Sequence, residues 1–263
     1  MPGLGYFASR RWFEYISTRD SGRDMLFMNY GYAHLNNETP AVPLEPEDED
    51  HRYFIQLYHH IASAIDLRGK QVLEVGCGRG GGTAYVARYL KPYTIVGVDL
   101  AASAIVFCKA HYRLDNLHFE QGDAENLPFA DGSFDVLLNV ESSICYANVA
   151  KFFQEVVRVL RPGGHFLYAD IRSREEISQW LEQLKATGLE KLQEENITPN
   201  VLRSLDLDNE RKQQLINRHV PLLLRRIFKE FAGVKGSDFF YGAFASGEKI
   251  YKRFLFRRSS VAF

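Results

Sequence analysis

The stretch Val72-Leu-Glu-Val-Gly-Cys-Gly-Arg-Gly-Gly-Gly82 decides how this chain folds. A short apolar run ends at Val75, a glycine-rich turn follows, and a helical pattern opens at Gly82. Glycine tolerates positive φ and lets a ligand approach the main chain, so strand, turn and helix together suit a nucleotide-like group. Gly76, Gly78 and Gly81 satisfy G-x-G-x-x-G, the spacing of dinucleotide-binding turns. Gly76, Gly78 and Gly80 satisfy a second spacing, E-x-G-x-G-x-G, with Glu74 two residues before the first glycine. A tight turn that binds nothing is the plain alternative; five glycines among positions 76–82 argue against it.

Outward from this turn, β-type runs at Gln71–Val75, Thr94–Asp99, Leu117–Gln121, Phe134–Val140 and 165–171 alternate with helical patterns at 82–90, 101–111 and 148–160. In the last helix Phe153, Val156, Val157 and Leu160 make one apolar stripe. Such alternation predicts an α/β fold whose mostly parallel sheet is covered on both faces. Asp99 closes the second run about 20 residues after the turn, where a carboxylate accepts both hydroxyls of a ribose. That placement suits any nucleoside cofactor, and a helix N-cap is its plain reading.

Three more segments narrow the choice. Gln121-Gly-Asp-Ala-Glu-Asn-Leu-Pro-Phe129 follows the third run, Ser133-Phe-Asp-Val-Leu-Leu-Asn-Val-Glu141 carries the fourth, and Leu160-Arg-Pro-Gly-Gly-His-Phe-Leu-Tyr-Ala-Asp170 leads into the fifth. With the Glu74 turn, in this order and spacing, they resemble the class I S-adenosylmethionine-dependent methyltransferases. The resemblance implies a Rossmann-like three-layer α/β sandwich with a seven-stranded, mostly parallel sheet, one antiparallel strand near the C-terminus, and a helical cap. It implies S-adenosyl-L-methionine as cofactor and S-adenosyl-L-homocysteine as product. The cofactor-binding residues it implies are Glu74, Gly76, Cys77, Gly78, Gly80, Asp99, Leu100, Asp123, Ala124, Glu125 and Asn139. The Asp123 carboxylate would accept from the adenine amino group and the next amide, that of Ala124, would meet the ring.

Asn29-Tyr-Gly-Tyr32, Asp123-Ala-Glu-Asn-Leu-Pro-Phe129, Leu138-Asn-Val-Glu141, Cys145-Tyr146 and Glu155-Val-Val-Arg-Val-Leu-Arg-Pro-Gly-Gly164 carry a closer likeness. They resemble the phthiotriol/phenolphthiotriol dimycocerosate methyltransferases, which O-methylate a hydroxyl on a long lipid. The likeness is loosest over 173–236. It implies a small, hydrophobic or lipid-like acceptor methylated at a hydroxyl.

Methyl transfer from a sulfonium is an in-line displacement, and an alcohol oxygen attacks better with a general base. Glu141, just past the fourth run at the carboxyl edge of the sheet, is the first candidate, and His219, before Pro221, the second. A turn-capping carboxylate and a packing or surface histidine are their plain readings. Tyr30 and Tyr32 are candidates for an aromatic lid, since a ring face attracts a sulfonium by about 0.5–2 kcal/mol; packing is the alternative. Cys145 and Tyr146 are expected at the substrate pocket, Cys145 as a small apolar filler.

One domain is expected over 1–263, made of a helical lead (1–68), a cofactor core (69–172), a helical cap (173–236) and closing strands (237–263). The lead carries Tyr6, Phe7, Trp12, Phe13 and Tyr15, and Tyr53, Leu57, Ile61 and Ile65 predict an amphipathic helix. Cap helices are expected at 175–186, 199–205 and 208–231, and strands at 239–244 and 249–256.

Lys plus Arg is 32 and Asp plus Glu 33, a net charge of −1 that excludes a general nucleic-acid binder. Cys77, Cys108 and Cys145 form no C-x-x-C pair, so neither a disulfide scaffold nor a zinc site is expected, and no metal at all. Residues 1–11 lack a secretory h-region and no apolar run nears the ~20 residues of a membrane span. A cytoplasmic protein, monomeric or homodimeric, is therefore expected. Arg225, Arg226, Lys229, Lys252, Arg253, Arg257 and Arg258 read as solvated charge or as contacts to an anionic membrane surface. The rival classes are an NAD(P)-dependent oxidoreductase using the same glycine turn, against which no Tyr-x-x-x-Lys pair occurs, and a non-catalytic homologue that only binds the cofactor.

Overall fold

Successive residues of a strand face opposite sides of its sheet, and here both sides are apolar. In β1 (Gln71–Val75) Val72 enters one buried cluster while Leu73 and Val75 enter another. The sheet is thus a middle layer, as its unbroken apolar runs require. The computed structural model describes residues 25–36 and 39–260. Tyr6, Phe7, Trp12, Phe13 and Tyr15 of the lead, and residues 1–11 read above for a secretory signal, lie outside them.

The chain runs through α1 (Arg52–Ala62), β1, α2 (Gly81–Tyr85, continued by a π-turn over Val86–Leu90), β2 (Thr94–Asp99), α3 (Ala102–His111), β3 (Leu117–Gln121) and β4 (Phe134–Val140). It continues through α4 (Val149–Val159), β5 (Leu160–Ser173), α5 (Ile177–Lys185), β6 (Glu190–Asn196), α6 (Thr198–Leu207), α7 (Asn209–His219), α8 (Arg225–Phe231) and β7 (Lys249–Arg257). The seven strands lie in the order β3-β2-β1-β4-β5-β7-β6, and β7 runs antiparallel to both its neighbours. Val72 faces Ile95 on one side and Val136 on the other. Helix α1 buries Ile55, Leu57 and Ile61 against one face; α4, capped by Asn148 accepting from the Lys151 amide, buries Phe152, Phe153, Val156 and Val159 against the other.

Three expectations beyond the core differ from the structure, each for a physical reason. Residues 190–196, expected inside the helical cap, form the edge strand β6. Its side chains are mostly exposed and give no apolar alternation. Ion pairs to β7 hold it instead: Arg257 with Glu190 at 2.6 Å, Arg253 with Glu195 at 3.6 Å, and Lys252 with Glu194. Residues 239–244, expected as a strand, are helical, and Phe240 and Phe244 pack on the Tyr30 ring. The single helix expected over 208–231 is broken at Val220–Pro221. Proline lacks the amide and disfavours a helical residue before it, and Val220 is extended.

A Cβ on Gly82 would sit 1.9 Å from the Tyr58 ring, whose hydroxyl donates to the Glu74 carboxylate at 2.7 Å. Gly82→Ala therefore forces Tyr58 off Glu74, and overpacking of this kind costs about 1–3 kcal/mol. Urea unfolding should show that loss; an unchanged midpoint would mean that the ring has room to move.

Candidate active site

The chain leaves β1 towards β2 and leaves β4 towards β5, in opposite directions across the sheet. Between the carboxyl ends of β1 and β4 the connecting loops diverge and open a crevice, the usual ligand site of an open α/β sheet. The crevice here is a cavity of about 1260 Å³ counted out to its open mouth, lined by the turns after β1, β2, β3 and β4 and by residues 26–29.

At the β1 end, Gly76 has φ +78, and a Cβ there would lie 1.7 Å from Ser142 Oγ. Only glycine lets the two turns come this close. The Gly76 and Cys77 amides both donate to Val98 O, at 2.7 and 3.0 Å, which ties the turn to β2. Asp99 then holds it from the end of β2: Oδ2 accepts from the Gly78 amide and Oδ1 from the Ala101 amide, both at 2.9 Å. Burial raises the Asp99 pKa while those amides oppose the rise. Each oxygen keeps a further lone pair for a ligand hydroxyl. After β3, Asp123 is exposed and accepts from the Glu125 amide at 2.8 Å, with Ala124 buried beside it.

At the β4 end, Glu141 adopts φ +50, a left-handed conformation that costs a non-glycine residue energy and recurs at functional sites. Its amide donates to Ala169 O at 2.9 Å and its Oε1 accepts from the Tyr30 amide at 2.8 Å. Burial pushes its pKa up to about 8, against the pull of the Tyr30 amide, the Tyr251 hydroxyl and Lys212. Cys145 lines the same end; burial pushes its thiol up to about 12, so it stays protonated at neutral pH. The Tyr146 hydroxyl meets Asn139 Nδ2 at 2.9 Å and Ser142 Oγ at 2.7 Å.

Of the residues singled out from the sequence, Gly76, Cys77, Gly78, Asp99, Leu100, Asp123, Ala124, Glu125, Glu141, Cys145 and Tyr146 line the cavity together. Glu74, Gly80 and Asn139 do not line it; they build its frame. Glu74 is fully buried and raised to about 7 by that burial, with the Tyr58 hydroxyl on its Oε1. Gly80 faces Phe119 and Cys108. Asn139 donates to Val75 O at 2.8 Å, linking β4 to β1. The lid expected from Tyr30 and Tyr32 is not seen. Tyr30 turns its hydroxyl to Phe231 O at 3.0 Å, and Tyr32 is buried with its ring stacked on His60 at 4.3 Å. Leu26, Phe27, Met28 and Asn29 line the cavity in their place. His219 sits exposed at the end of α7, outside the cavity lining, because Pro221 ends that helix there. Sequence reasoning missed Tyr58, Ser142 and Met28, whose roles come from contacts across the fold rather than from a motif.

Among the described residues, four carboxyl groups, of Asp99, Asp123, Glu125 and Glu141, line the cavity against one cationic side chain, Arg79, whose guanidinium lies 3.7 Å from the Phe107 ring centroid. Such a lining favours a cationic ligand over the double negative charge of a pyrophosphate. Among the described residues no group of three or more His, Cys, Asp or Glu side chains is placed to hold a metal ion.

A methyltransferase-domain family matches residues 73–168. The chain is 45% identical over 252 residues to the phthiotriol/phenolphthiotriol dimycocerosates methyltransferase of Mycobacterium tuberculosis, covering 95% of this chain and 91% of that one. It is 43% identical over 213 residues to a fatty-acid O-methyltransferase of Mycolicibacterium smegmatis, covering 81% and 77%. A crystal structure of geranyl diphosphate C-methyltransferase from Streptomyces coelicolor A3(2), with Mg2+, geranyl diphosphate and S-adenosyl-L-homocysteine, superposes with a TM-score of 0.67 at 18% identity, covering 98% and 100%. At that identity the likeness is one of fold.

A carboxyl group whose native pKa lies above its unfolded value of about 4.3 lowers stability as pH rises through the native pKa. For Glu141 that window runs from about pH 4.5 to about 8. Glu141→Gln removes the titration and keeps an acceptor for the Tyr30 amide. Its stability relative to the parent should therefore rise between pH 5 and pH 9, by roughly 4 kcal/mol, about 1.4 kcal/mol for each of about three pH units. Urea unfolding across that range reads the effect, and a difference that stays flat with pH would contradict the raised pKa.

Proposed function

Since the chain belongs to the phthiotriol/phenolphthiotriol dimycocerosates methyltransferase family of class I methyltransferases, we propose that it transfers a methyl group from S-adenosyl-L-methionine to a hydroxyl of a hydrophobic, lipid-like acceptor. The observation that carries this reading is the Glu141 carboxylate, held at the crevice between β1 and β4 and facing the cavity from a left-handed backbone. The likeness to enzymes named for long lipids and for fatty acids supports the acceptor class.

The residues present suit the cofactor. Asp99 offers a carboxylate to two vicinal hydroxyls, Asp123 offers one to an exocyclic amine, and Leu100 and Ala124 give apolar walls to a purine. Acidic lining suits a sulfonium. S-adenosyl-L-methionine, when bound, supplies the electrophilic methyl. Glu141 would accept the proton of the acceptor hydroxyl, so that the oxygen taking up the methyl group is left as an ether oxygen. The Tyr30 amide fixes the orientation of the carboxylate, and a pKa near 8 makes it a stronger base than an ordinary glutamate. Residues 26–29 and the apolar lining exclude water that would compete for the proton.

The test is transfer of labelled methyl to long-chain alcohols, phenols and fatty acids. Glu141→Gln should lower kcat with an alcohol acceptor at least ~100-fold and leave the cofactor KM nearly unchanged. The parent kcat should climb with pH towards about 8 as the carboxylate ionises. Full turnover by Glu141→Gln would remove Glu141 as the base. Asp99→Ala should raise the cofactor KM at least ~10-fold, since two hydrogen bonds to a charged group are lost; an unchanged KM would take the ribose away from Asp99.

A further inference from the structure

We propose that the segment 218–235, together with Phe239, is a docking surface for an anionic lipid bilayer. The idea rests on the lipid-acceptor reading above for its purpose, though not for its test. Pro221 ends α7, and Leu222–Leu224 follow as a single turn with none of its side chains buried. Leu222 is 75% exposed and Leu223 93%. Ile227, in α8, is 50% exposed and shares a helix face with Phe231. Phe239, 51% exposed, sets its ring 5.7 Å from that of Phe231 and extends the same patch. An adjoining side of α8 is anchored: Phe228 is buried in a small cluster with Ile216, Val220 and Val234. The leucines therefore face water because the helix is fixed, and burying each would be worth about 1.5–3 kcal/mol.

Charge names the occupant. Between 218 and 235 the chain carries Arg218, Arg225, Arg226, Lys229 and Lys235 against one acid, Glu230, although its net charge is −1. Lys235 pairs with Asp206 at 2.9 Å and Arg225 donates to Val220 O and Asn217 O, so Arg218, Arg226 and Lys229 carry the argument. The Glu230 carboxylate is engaged by the Asp238 and Phe239 amides, both at 2.9 Å. Of the other basic residues read as solvated charge or membrane contacts, Lys252, Arg253 and Arg257 are paired with β6 and Arg258 donates to Leu160 O. Leucines flanked by arginine and lysine match the boundary between acyl chains and anionic headgroups. A symmetric dimer through this patch would instead set its cations against the same cations of the second copy.

The patch also adjoins the reacting end of the cavity. Phe231 O accepts from the Tyr30 hydroxyl at 3.0 Å, and the Tyr30 amide holds Glu141 at 2.8 Å. One residue thus links the docking helix to the proposed base, and a poorly soluble acceptor would be met where it resides.

The test is flotation of the whole protein with vesicles of phosphatidylcholine, alone or containing phosphatidylglycerol. The parent should float with the anionic vesicles and be released by high salt. Leu222→Ser/Leu223→Ser and Arg226→Glu/Lys229→Glu should each cut the bound fraction at least ~10-fold. Both pairs should keep the parent Tm and its turnover of a short, soluble alcohol. Failure of the parent to float with anionic vesicles overturns the proposal. So does a dimer in sedimentation that the leucine substitutions dissociate, which would make the patch a contact between copies. Binding is read without turnover, so a vesicle-bound protein that methylates no lipid would overturn the acceptor reading and leave the surface standing.

Discussion

Everything at the site depends on β1 lying beside β4 while their connections run apart. Parallel pairing of Leu73 with Leu137 and of Glu74 with Leu138 brings the two carboxyl ends level. The Asn139 amide then bonds Val75 O across the gap, which fixes the turn after β1 against the turn after β4. Gly76 completes the contact by having no side chain to hold Ser142 away. Without that arrangement Asp99 and Glu141, 42 positions apart in the chain, would not share one cavity.

The second constraint is electrostatic. Carboxyl groups are expensive to bury unless they are hydrogen-bonded or accept a raised pKa. Here each solution is used. Asp99 has two amides, Glu74 has the Tyr58 hydroxyl, and Glu141 has the Tyr30 amide together with a pKa near 8. Perturbed carboxyls and a strained backbone gathered in one cleft are what a proton-accepting, cation-holding site needs. The same network reaches the surface through Tyr30, whose hydroxyl is fixed by α8.

How much of this was legible depended on range. The glycine turn, Asp99 and the segment at Asp123 are written in consecutive residues, because a turn and its neighbouring strand impose their chemistry locally. The core strands were legible for the same reason, being continuous apolar runs. Strand β6 was not, since cross-strand ion pairs rather than apolar alternation hold it. Tyr30 and Tyr32 were recognisable as aromatics near the site, but their directions are set by Phe231 and His60, far along the chain. His219 had the right chemistry for a base and the wrong place, because one proline ends its helix away from the cavity. Tyr58 carried no local signal; only the pairing of α1 with the glycine helix brings it to Glu74.

What the acidic crevice holds decides between a sulfonium cofactor and a dinucleotide. Calorimetric titration of the protein with S-adenosyl-L-homocysteine, with NADH titrated in parallel, tests that most directly. Saturable binding of S-adenosyl-L-homocysteine at one site, with no heat from NADH, is the result predicted. Binding of NADH without S-adenosyl-L-homocysteine would contradict it and return the glycine turn to dinucleotide chemistry.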